Sequence, residues 1–450
     1  MGEQSMKILI AGCGIGGLAA ALSLYEAGFR DLSLVEAAPA VRPYGAGVNL
    51  QPNAVRELAA LGLYEEIAAR SATIGRLGYH NHLGQTVWHE RRGLAAGHRH
   101  PQLAVHRGEL LTVLAEAVTR RLGPGAIRTD AKVTGFERAG EGRLRVRLAH
   151  RRGGTAKEGV TGSTTGAGLL IGADGIRSAV RATLYPREGA PPASGTVVWR
   201  GITRVRPFLG GDSMVVMGDG RWKVVVYPLA GTPGTDGLVP VNWAASRAAA
   251  PGEPVDGATR PVPRSAFAPH FDTWALGDLR LREVLAGPDP VVQFPLIDRD
   301  PLPRWSFGRV TLLGDSAHAM APMGSNATTQ AIVDARALAH ALARDPDAGR
   351  DPERALLAYD RERRPAMNRL ALMSRAKGPE AVIDLACERA PDGFGRIGEV
   401  IDRSELVALT RSYARAGHFD ARAANLPSPY STRASAPAPA AAPAPGVVPA

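Results

Sequence analysis

The sequence predicts an α/β protein in which a domain of alternating strands and helices is interrupted by a mainly β-sheet insertion and followed by C-terminal helices. Three observations lead to this prediction. A strand, a glycine-rich loop and a helix open the chain within residues 7–27. β-rich segments separated by Gly and Pro turns occupy residues 196–245. A strand pattern at residues 310–313 and long helical patterns at 327–375 follow, so nucleotide-type elements flank the insertion.

Length and composition indicate a globular protein with more than one lobe. The chain has 450 residues, of which 22% are charged and 45% hydrophobic. Its two cysteines, Cys13 and Cys387, are too few for a disulfide framework or a multi-cysteine zinc site, and they favour a reducing, cytoplasmic location. No uninterrupted apolar run approaches the roughly 18 residues of a membrane-spanning helix. We therefore expect a cytoplasmic protein with no metal and no membrane partner, and the sequence leaves its oligomeric state open.

The net charge of +11 comes almost wholly from arginine. The densest basic stretch, residues 120–152, contains the run RLRVRL at residues 143–148, in which basic and apolar side chains alternate. Such alternation is typical of a strand with one solvated face. No nucleic-acid-binding motif accompanies the run, so we expect no nucleic-acid partner.

Gly12, Gly14 and Gly17 match the spacing G-x-G-x-x-G, directly after a predicted strand and at the start of a predicted helix. In a dinucleotide-binding loop the first glycine permits the tight turn, the second lets a pyrophosphate approach the backbone, and the third lets helix and strand pack closely. Glu36 ends the next predicted strand, where a carboxylate can accept hydrogen bonds from a ribose. Cys13 occupies a variable position, and we expect it to serve packing. The loop predicts a Rossmann-type domain for either NAD or FAD.

Two further motifs decide between those cofactors. Residues 172–178 (GADGIRS) follow one predicted strand, and residues 314–318 (GDSAH) follow another. Together with the glycine loop, this ordered set resembles the class A flavoprotein monooxygenases, the para-hydroxybenzoate hydroxylase family, over roughly residues 7–376. The resemblance implies a Rossmann-type FAD-binding domain with noncovalent FAD.

Within that family, three segments are most similar to the phenazine hydroxylase branch. They are residues 42–52 (RPYGAGVNLQP), 199–201 (WRG) and 298–303 (DRDPLP). The resemblance to this branch implies a phenazine-like substrate.

The resemblance also implies roles for individual residues around FAD. Asp315 corresponds to a carboxylate that holds the ribityl chain, and Arg107 to an arginine near the pyrophosphate and ribityl region, where a guanidinium would neutralise phosphate charge. Arg42 is a further basic candidate. Asp174 belongs to a segment credited with roles in FAD and NAD(P)H binding, and a capping role at a strand-to-helix turn is the alternative.

A second loop lies at the start of the long helical pattern. In the family this helix start faces the pyrimidine edge of the flavin, where its dipole stabilises negative charge on the reduced ring. Relatives usually carry glycine where this chain has alanine, and the extra methyl either crowds the flavin or is accommodated; we expect accommodation. The residues of this flavin environment are Pro322, Gly324, Ser325, Asn326 and Ala327.

The activity implied by the resemblance is hydroxylation of an aromatic substrate at the expense of NADH or NADPH and O2. NAD(P)H reduces FAD, O2 forms a flavin C4a-hydroperoxide, and one oxygen atom passes to the aromatic ring; the cofactor carries this chemistry. No side chain is assigned as catalytic acid or base. His318 belongs to the family's structural fingerprint, with a general-base role as the alternative.

The substrate pocket is expected where the β-rich lobe faces the flavin. Trp199, Tyr227, Trp243 and Phe294 are candidate walls, and each could instead belong to the core. The leading hypothesis is a phenazine-like or other fused or carboxylated aromatic substrate in secondary metabolism. The alternatives are a salicylate-, anthranilate- or kynurenine-type ring hydroxylase and, in another class, a flavin-binding or interaction protein without turnover.

These patterns divide the chain into four parts. The last part is mostly Pro, Ala and Ser, too poor in large apolar groups to order itself, so we expect a disordered tail. The expected division is a discontinuous FAD-binding domain (6–75, 101–190 and 288–376), a β-rich substrate domain (76–100 and 191–287), a C-terminal helical segment (377–426) and the tail (427–450).

Overall fold

A computed structural model describes residues 6–41, 45–140, 142–151, 160–250, 253 and 259–432. The described residues form 12 α-helices: α1 (Ile15–Glu26), α2 (Pro52–Ala60), α3 (Tyr64–Ala68), α4 (Arg107–Leu122), α5 (Ala179–Leu184), α6 (Leu281–Val284), α7 (Asp315–His318), α8 (Ala327–Arg344), α9 (Glu353–Arg375), α10 (Ala381–Arg389), α11 (Arg403–Ala416) and α12 (Ala421–Ala424). None of these helices is long and apolar enough to cross a membrane.

The same residues form 22 strands: β1 (Ile8–Ala11), β2 (Leu32–Val35), β3 (Gly47–Leu50), β4 (Ser71–Ile74), β5 (Arg76–Asn81), β6 (Thr86–Arg91), β7 (Gln102–His106), β8 (Ile127–Arg128), β9 (Lys132–Arg138), β10 (Leu144–Arg151), β11 (Val160–Ala167), β12 (Leu169–Gly172), β13 (Ala193–Val205), β14 (Ser213–Gly218), β15 (Trp222–Pro228), β16 (Val239–Ala248), β17 (Arg260–Val262), β18 (Ala275–Leu276), β19 (Leu279–Arg280), β20 (Val291–Ile297), β21 (Ser306–Phe307) and β22 (Val310–Leu312).

The first lobe is built on a six-stranded sheet in the order β21-β22-β12-β1-β2-β8. β1 pairs in parallel with β2 and β12, and β12 pairs in parallel with β22, so the glycine loop and the two later motifs leave the sheet at the same edge. Buried residues of α1, α4, α8 and α9 form one core with this sheet. The three-stranded sheet β11-β10-β9 adds Val133, Val146 and Leu148 to that core. The predicted α/β fold is therefore confirmed.

The second lobe is an eight-stranded sheet in the order β17-β20-β13-β16-β15-β14-β5-β6. One face forms a separate core of valine and aromatic side chains, into which Phe267 and Phe271 pack from a short helical connection. The other face meets the first lobe, where the Gly47 N–H donates to Asn242 Oδ1 at 2.7 Å. The two lobes therefore meet along β3 and this face of the sheet. We call this face the near face, the face that carries the separate core the far face, and the space between the lobes beside the near face the cleft.

The C-terminal helices join both lobes. Val382, Ile383 and Ala386 of α10 pack with Leu77 and Tyr79 of β5. The last described residues lie on the first lobe instead: Ser428 Oγ donates to Glu57 Oε2 at 2.7 Å, and Tyr430 is buried. A disordered tail beginning at residue 427 is therefore wrong, because the side chains of residues 428 and 430 find buried partners; residues 433–450 lie outside the described ranges.

Several predicted elements are confirmed at residue level. In β10, Val146 and Leu148 are buried while Arg145 and Arg147 are exposed, as the alternation at residues 143–148 predicts. The long helical patterns predicted at 327–375 are confirmed as α8 and α9, which are separated by the turn at 345–352.

Candidate functional site

The glycine loop has the shape that its spacing predicts. Gly12 has φ +102°, and a Cβ there would lie 2.3 Å from the Ala173 carbonyl oxygen. A Cβ on Gly17 would lie 2.1 Å from the Gly12 carbonyl oxygen. A Cβ on Gly14 would meet no protein atom within 4 Å. Two glycines are thus required by protein packing, whereas the third keeps open the space next to the helix start.

That open space is part of a cavity of about 240 Å³. Glu36 lies on its wall, with Oε2 accepting from the Cys13 N–H and Oε1 from the Ala38 N–H, each at 2.9 Å. These bonds fix the carboxylate while leaving lone pairs for a ligand hydroxyl. Burial, aided by the charge of Glu36, raises the pKa of the Cys13 thiol, so this buried cysteine stays protonated.

Basic side chains line the same cavity. Lys132 of β9 and Arg177, which follows β12, belong to its wall and are exposed. Neither residue is among the site residues predicted from the sequence, although Arg177 lies within the motif GADGIRS. Their charge suits a phosphate-containing ligand.

Asp174 follows β12 and has a capping role in the structure. Its Oδ2 accepts from the Ala179 and Val180 N–H groups at 2.7 and 3.3 Å, and its Oδ1 from Ser178 Oγ at 2.5 Å. Burial raises the pKa of Asp174. The carboxylate is occupied by the start of α5, while the residue still lines the cavity, so Asp174 shapes the site.

Asp315 is the first residue of α7, directly after β22 and Gly314. Its side chain is exposed, in contrast to the buried Ser316, and no other described residue holds its carboxylate. Arg107 opens α4 and is also exposed, and its side chain packs beside Gly45, where a Cβ would lie 3.1 Å from Arg107 Cδ. Arg42 lies outside the described residues.

The flavin-environment loop begins after α7 and ends at α8. Gly324 and Ser325 both have positive φ, +70° and +53°, so the chain makes a tight left-handed turn before the helix. Asn326 is buried, and its Oδ1 accepts from Gln330 Nε2 at 3.2 Å. Ala327 opens α8 and is half-buried against the core of the first lobe, and the loop begins at the exposed residue Pro322.

His318 lies in a buried network away from solvent. Its Nε2 is 2.5 Å from Asp334 Oδ2, and Arg363 Nε donates to Asp334 Oδ1 at 2.8 Å. The charges of His318 and Arg363 outweigh burial and lower the pKa of Asp334 to about 2. With both neighbours paired in the core, His318 stabilises the junction of α7 with α8, in keeping with a structural role.

The predicted substrate walls divide between the two faces of the eight-stranded sheet. Trp199 and Trp243 are wrong as pocket walls: both point into the core on the far face, where Trp199 stacks on Phe267 at 4.7 Å between ring centroids. Tyr227 lies on the near face, and its ring approaches Gly47 of the first lobe so closely that a Cβ there would be 2.7 Å from Cε2. Phe294 is also on the near face and 37% exposed.

Arg200 is the residue of this cleft that sequence reasoning missed. It alternates with Trp199 along β13 and therefore points to the near face, in a row with Val198 and Ile202. Arg200 is exposed on this face, yet the protein around it partly desolvates the guanidinium and lowers its pKa; Tyr227 and Arg107 are close enough to influence that pKa. Within the described ranges no side chain or carbonyl accepts a hydrogen bond from it. The alternation of side chains along β13 is the sequence pattern that places Arg200 on the face opposite Trp199.

The arrangement fits an extended dinucleotide. The Gly14 space and the cavity beside Glu36 suit an adenosine diphosphate group, and Arg107 and Asp315 are exposed charged residues at the starts of α4 and α7 in the same lobe. Among the residues described, no group of three or more His, Cys, Asp or Glu side chains is placed to hold a metal ion.

Comparison with known proteins identifies the family. Residues 5–251 and 286–374 match the model of the FAD binding domain family. A phenazine 1,6-dicarboxylic acid hydroxylase, PhzS, of Lysobacter antibioticus is 39% identical over 381 residues, covering 82% of this chain and 89% of the relative. The 3-hydroxybenzoate 6-hydroxylase 1 of Aquipseudomonas alcaligenes is 32% identical, covering 82% and 88% of the two chains.

Solved structures support the fold. A salicylate hydroxylase–substrate complex superposes with a TM-score of 0.69 at 22% identity, covering 94% of this chain and 98% of the other. Klebsiella pneumoniae HpxO, complexed with FAD and uric acid, superposes with a TM-score of 0.67 at 22% identity, covering 94% and 97%. From the family match and the hydroxylase relatives, this chain belongs to the FAD binding domain family and is a flavoprotein monooxygenase of the aromatic hydroxylase type.

Proposed function

We propose that the protein hydroxylates a planar, fused aromatic substrate with an anionic substituent, of the phenazine carboxylate type, consuming NAD(P)H and O2. The observation that carries this proposal is Arg200, a guanidinium in the cleft whose surroundings lower its pKa and to which no described residue offers a hydrogen-bond acceptor. A desolvated cation without a protein partner is unfavourable, and an anionic group of the substrate would complete it. The similarity to a hydroxylase named for a phenazine dicarboxylic acid points to the same substrate class.

The surroundings of Arg200 suit a flat apolar ring. Val198 and Ile202 flank it on β13, and Phe294 lies opposite Val198 on β20. Ile202 and Phe294 are 40% and 37% exposed, so these side chains offer apolar surface that an aromatic ligand would cover. Apolar walls around a single cation would orient an aromatic carboxylate, with the carboxylate on Arg200 and the ring along the sheet.

The first lobe would hold FAD through residues whose roles we infer from their positions. Gly14 admits the pyrophosphate, Glu36 accepts from the adenosine ribose, Arg107 neutralises phosphate charge, and Asp315 accepts from the ribityl hydroxyls. Bound FAD supplies electron transfer from NAD(P)H and the activation of O2. The protein's own part is to bind both molecules, align the ring and exclude water from the cleft. We place this reaction in the cytoplasm, where a free thiol such as that of Cys387 remains reduced.

The proposal is tested with matched ligands and one variant. NAD(P)H oxidation is measured with a phenazine carboxylate and with the corresponding carboxamide, for the natural protein and for Arg200→Gln. We expect the carboxylate to be preferred, and Arg200→Gln to raise its KM by about tenfold or more while changing the KM of the carboxamide little.

Arg204→Gln is the control, because Arg204 is an exposed arginine of the same strand that is already paired with Asp236 at 2.7 Å. The control should leave both KM values unchanged. Equal KM values for acid and amide, or an unchanged carboxylate KM in Arg200→Gln, would contradict an anionic substrate group at Arg200.

A further inference from the structure

The flavin-environment loop is held by residues that lie outside its own lobe. The ring of Tyr413, on α11, lies directly against Gly324, and a Cβ on that glycine would be 2.3 Å from Tyr413 Cε1. On the other side a Cβ on Gly378 would lie 3.2 Å from Cε2 of the same ring. Both glycines have positive φ, +70° and +52°. The ring therefore fills a slot between two glycine turns that no larger residue would leave open.

The hydroxyl of Tyr413 adds a directed contact. Tyr413 Oη donates to the Met323 carbonyl oxygen at 2.5 Å, and Ser374 Oγ lies 3.1 Å from the same hydroxyl. Because the single hydroxyl hydrogen points to Met323, Ser374 is the donor in the second bond. Burial raises the pKa of Tyr413 to about 12, so the group remains a donor at neutral pH.

Glu380 joins the same loop to the other lobe. Its Oε1 accepts from the Gly324 N–H at 3.2 Å, and its Oε2 forms an ion pair with Lys223 of β15. Lys223 Nζ also lies 2.9 Å from Met323 Sδ. Glu380 is 7% exposed, so this carboxylate is a largely buried junction between the C-terminal segment, the loop and the substrate sheet.

These contacts come from a part of the chain beyond the family match. The match ends at residue 374, after the loop but before Glu380 and Tyr413. Within the loop itself, the Ser325 N–H donates to the Pro322 carbonyl at 3.1 Å, which closes the turn without anchoring it to either lobe. The position of the loop relative to the sheet is therefore set jointly by the contacts of Met323 with the sheet and by the C-terminal segment.

We propose that residues 377–416 form a C-terminal clamp that positions the flavin-environment loop, with Tyr413 and Glu380 as its positioning residues. The inference rests on the proposed function in one respect only, that this loop borders the flavin. When Tyr413 and Glu380 hold the loop, the N–H groups at the start of α8 stay fixed relative to the substrate on the sheet. When they do not, we expect NAD(P)H oxidation to be less well coupled to hydroxylation.

The first test is Tyr413→Phe, which keeps the ring between the two glycines and removes only the hydroxyl. Hydrogen–deuterium exchange of residues 322–326 is measured in the FAD-free protein, together with the FAD dissociation constant and the ratio of hydroxylated product to NAD(P)H consumed. Loss of one buried hydrogen bond should speed local exchange about fivefold. We expect weaker FAD binding and a lower product ratio, with an unchanged KM for the aromatic.

Tyr185→Phe is the matched control. Tyr185 Oη also donates to a backbone carbonyl, that of Arg304, at 2.7 Å, but far from the loop in the fold. The control should leave exchange of residues 322–326 and the product ratio unchanged. Glu380→Gln is an independent variant, which keeps an oxygen acceptor and removes the charge facing Lys223, and it should produce the same pattern as Tyr413→Phe.

The outcomes separate the clamp from the proposed function. Unchanged loop exchange and FAD affinity in both Tyr413→Phe and Glu380→Gln would overturn the clamp. Faster loop exchange in a protein that hydroxylates none of the phenazine carboxylates would support the clamp and count against the proposed substrate class.

Discussion

Two loops in this protein border the proposed cofactor, and they obtain their shapes in different ways. The glycine loop at residues 12–17 is fixed by its own backbone, since Gly12 and Gly17 approach carbonyl oxygens at distances that only glycine permits. In the loop at 322–327, Ala327 packs on the core of the first lobe, but the glycine turn at Gly324 is held by Tyr413 and Glu380 from a separate segment. The conformation of a binding loop can thus be fixed by close contacts of its own glycines or by side chains from a distant part of the chain. Only a loop fixed by its own glycines can be recognised from a short sequence motif.

The largest effect is expected within the glycine loop. Gly17→Ala would force a methyl against the Gly12 carbonyl oxygen, so we expect a loss of stability of about 3 kcal/mol and little FAD binding. Gly14→Ala has open space for its methyl and should leave the melting temperature unchanged, yet weaken FAD binding by about tenfold because the backbone can no longer approach the pyrophosphate. Thermal melts and FAD titrations check both. Equal losses of stability in the two variants would contradict the distinction between packing and ligand-facing glycines.

The remote support of the second loop depends on how firmly the C-terminal segment docks. Deleting residues 427–450 removes the buried Tyr430 and the Ser428–Glu57 hydrogen bond, and should lower the free energy of unfolding by about 2 kcal/mol. Deleting only residues 433–450, which are rich in Pro and Ala, should change stability little. Denaturant melts of the two truncated proteins measure the difference. If the shorter deletion is as harmful as the longer one, docking is not carried by Ser428 and Tyr430.

Asp315 stands at the same edge of the six-stranded sheet as the glycine loop, and its side chain is exposed. Asp315→Ala should weaken FAD binding by about tenfold or more, because it removes a charged acceptor for ribityl hydroxyls. Asp31→Ala, an exposed carboxylate of the same lobe, serves as the control and should bind FAD normally. Fluorescence titration of the apoproteins gives the two constants, and similar values for both would remove Asp315 from the binding site.

The smallest effect is expected at Ala327, the first residue of α8. Its methyl packs against the core of the first lobe, so glycine there should cost about 0.5–1 kcal/mol of stability without improving coupling. The product formed per NAD(P)H consumed is compared for the two proteins. A clear rise in that ratio for Ala327→Gly would mean that the methyl crowds the flavin.

The difference between the two loops also explains how much could be predicted from the sequence. A Rossmann-type lobe could be predicted from Gly12, Gly14 and Gly17, because a nucleotide-binding loop is contiguous and its close backbone contacts require glycine. The choice of FAD depended on the family resemblance carried by the motifs at 172–178 and 314–318. In β13 the alternation of side chains places Trp199 and Arg200 on opposite faces of the sheet. The sequence of a single strand does not show which of these two faces meets the other lobe. Trp199 and Trp243 could therefore not be distinguished from Tyr227 and Phe294 as candidate pocket walls, although the two tryptophans belong to the core on the far face.

The clamp could not be predicted from the sequence at all. Tyr413 and Glu380 contact the loop from 90 and 56 positions away along the chain. Neither residue belongs to a sequence motif. Their roles depend on contacts among the loop, the C-terminal segment and the substrate sheet, which are far apart along the chain.

Isotope incorporation tests the hydroxylase assignment most directly. The purified protein is supplied with FAD, NAD(P)H, a phenazine carboxylate and ¹⁸O2, and the aromatic product is analysed by mass spectrometry. We predict a product heavier by one ¹⁸O atom, formed only when both NAD(P)H and the aromatic are present, with NAD(P)H oxidation accelerated by the aromatic. NAD(P)H oxidation that is the same with and without the aromatic, and yields only hydrogen peroxide, would contradict the assignment.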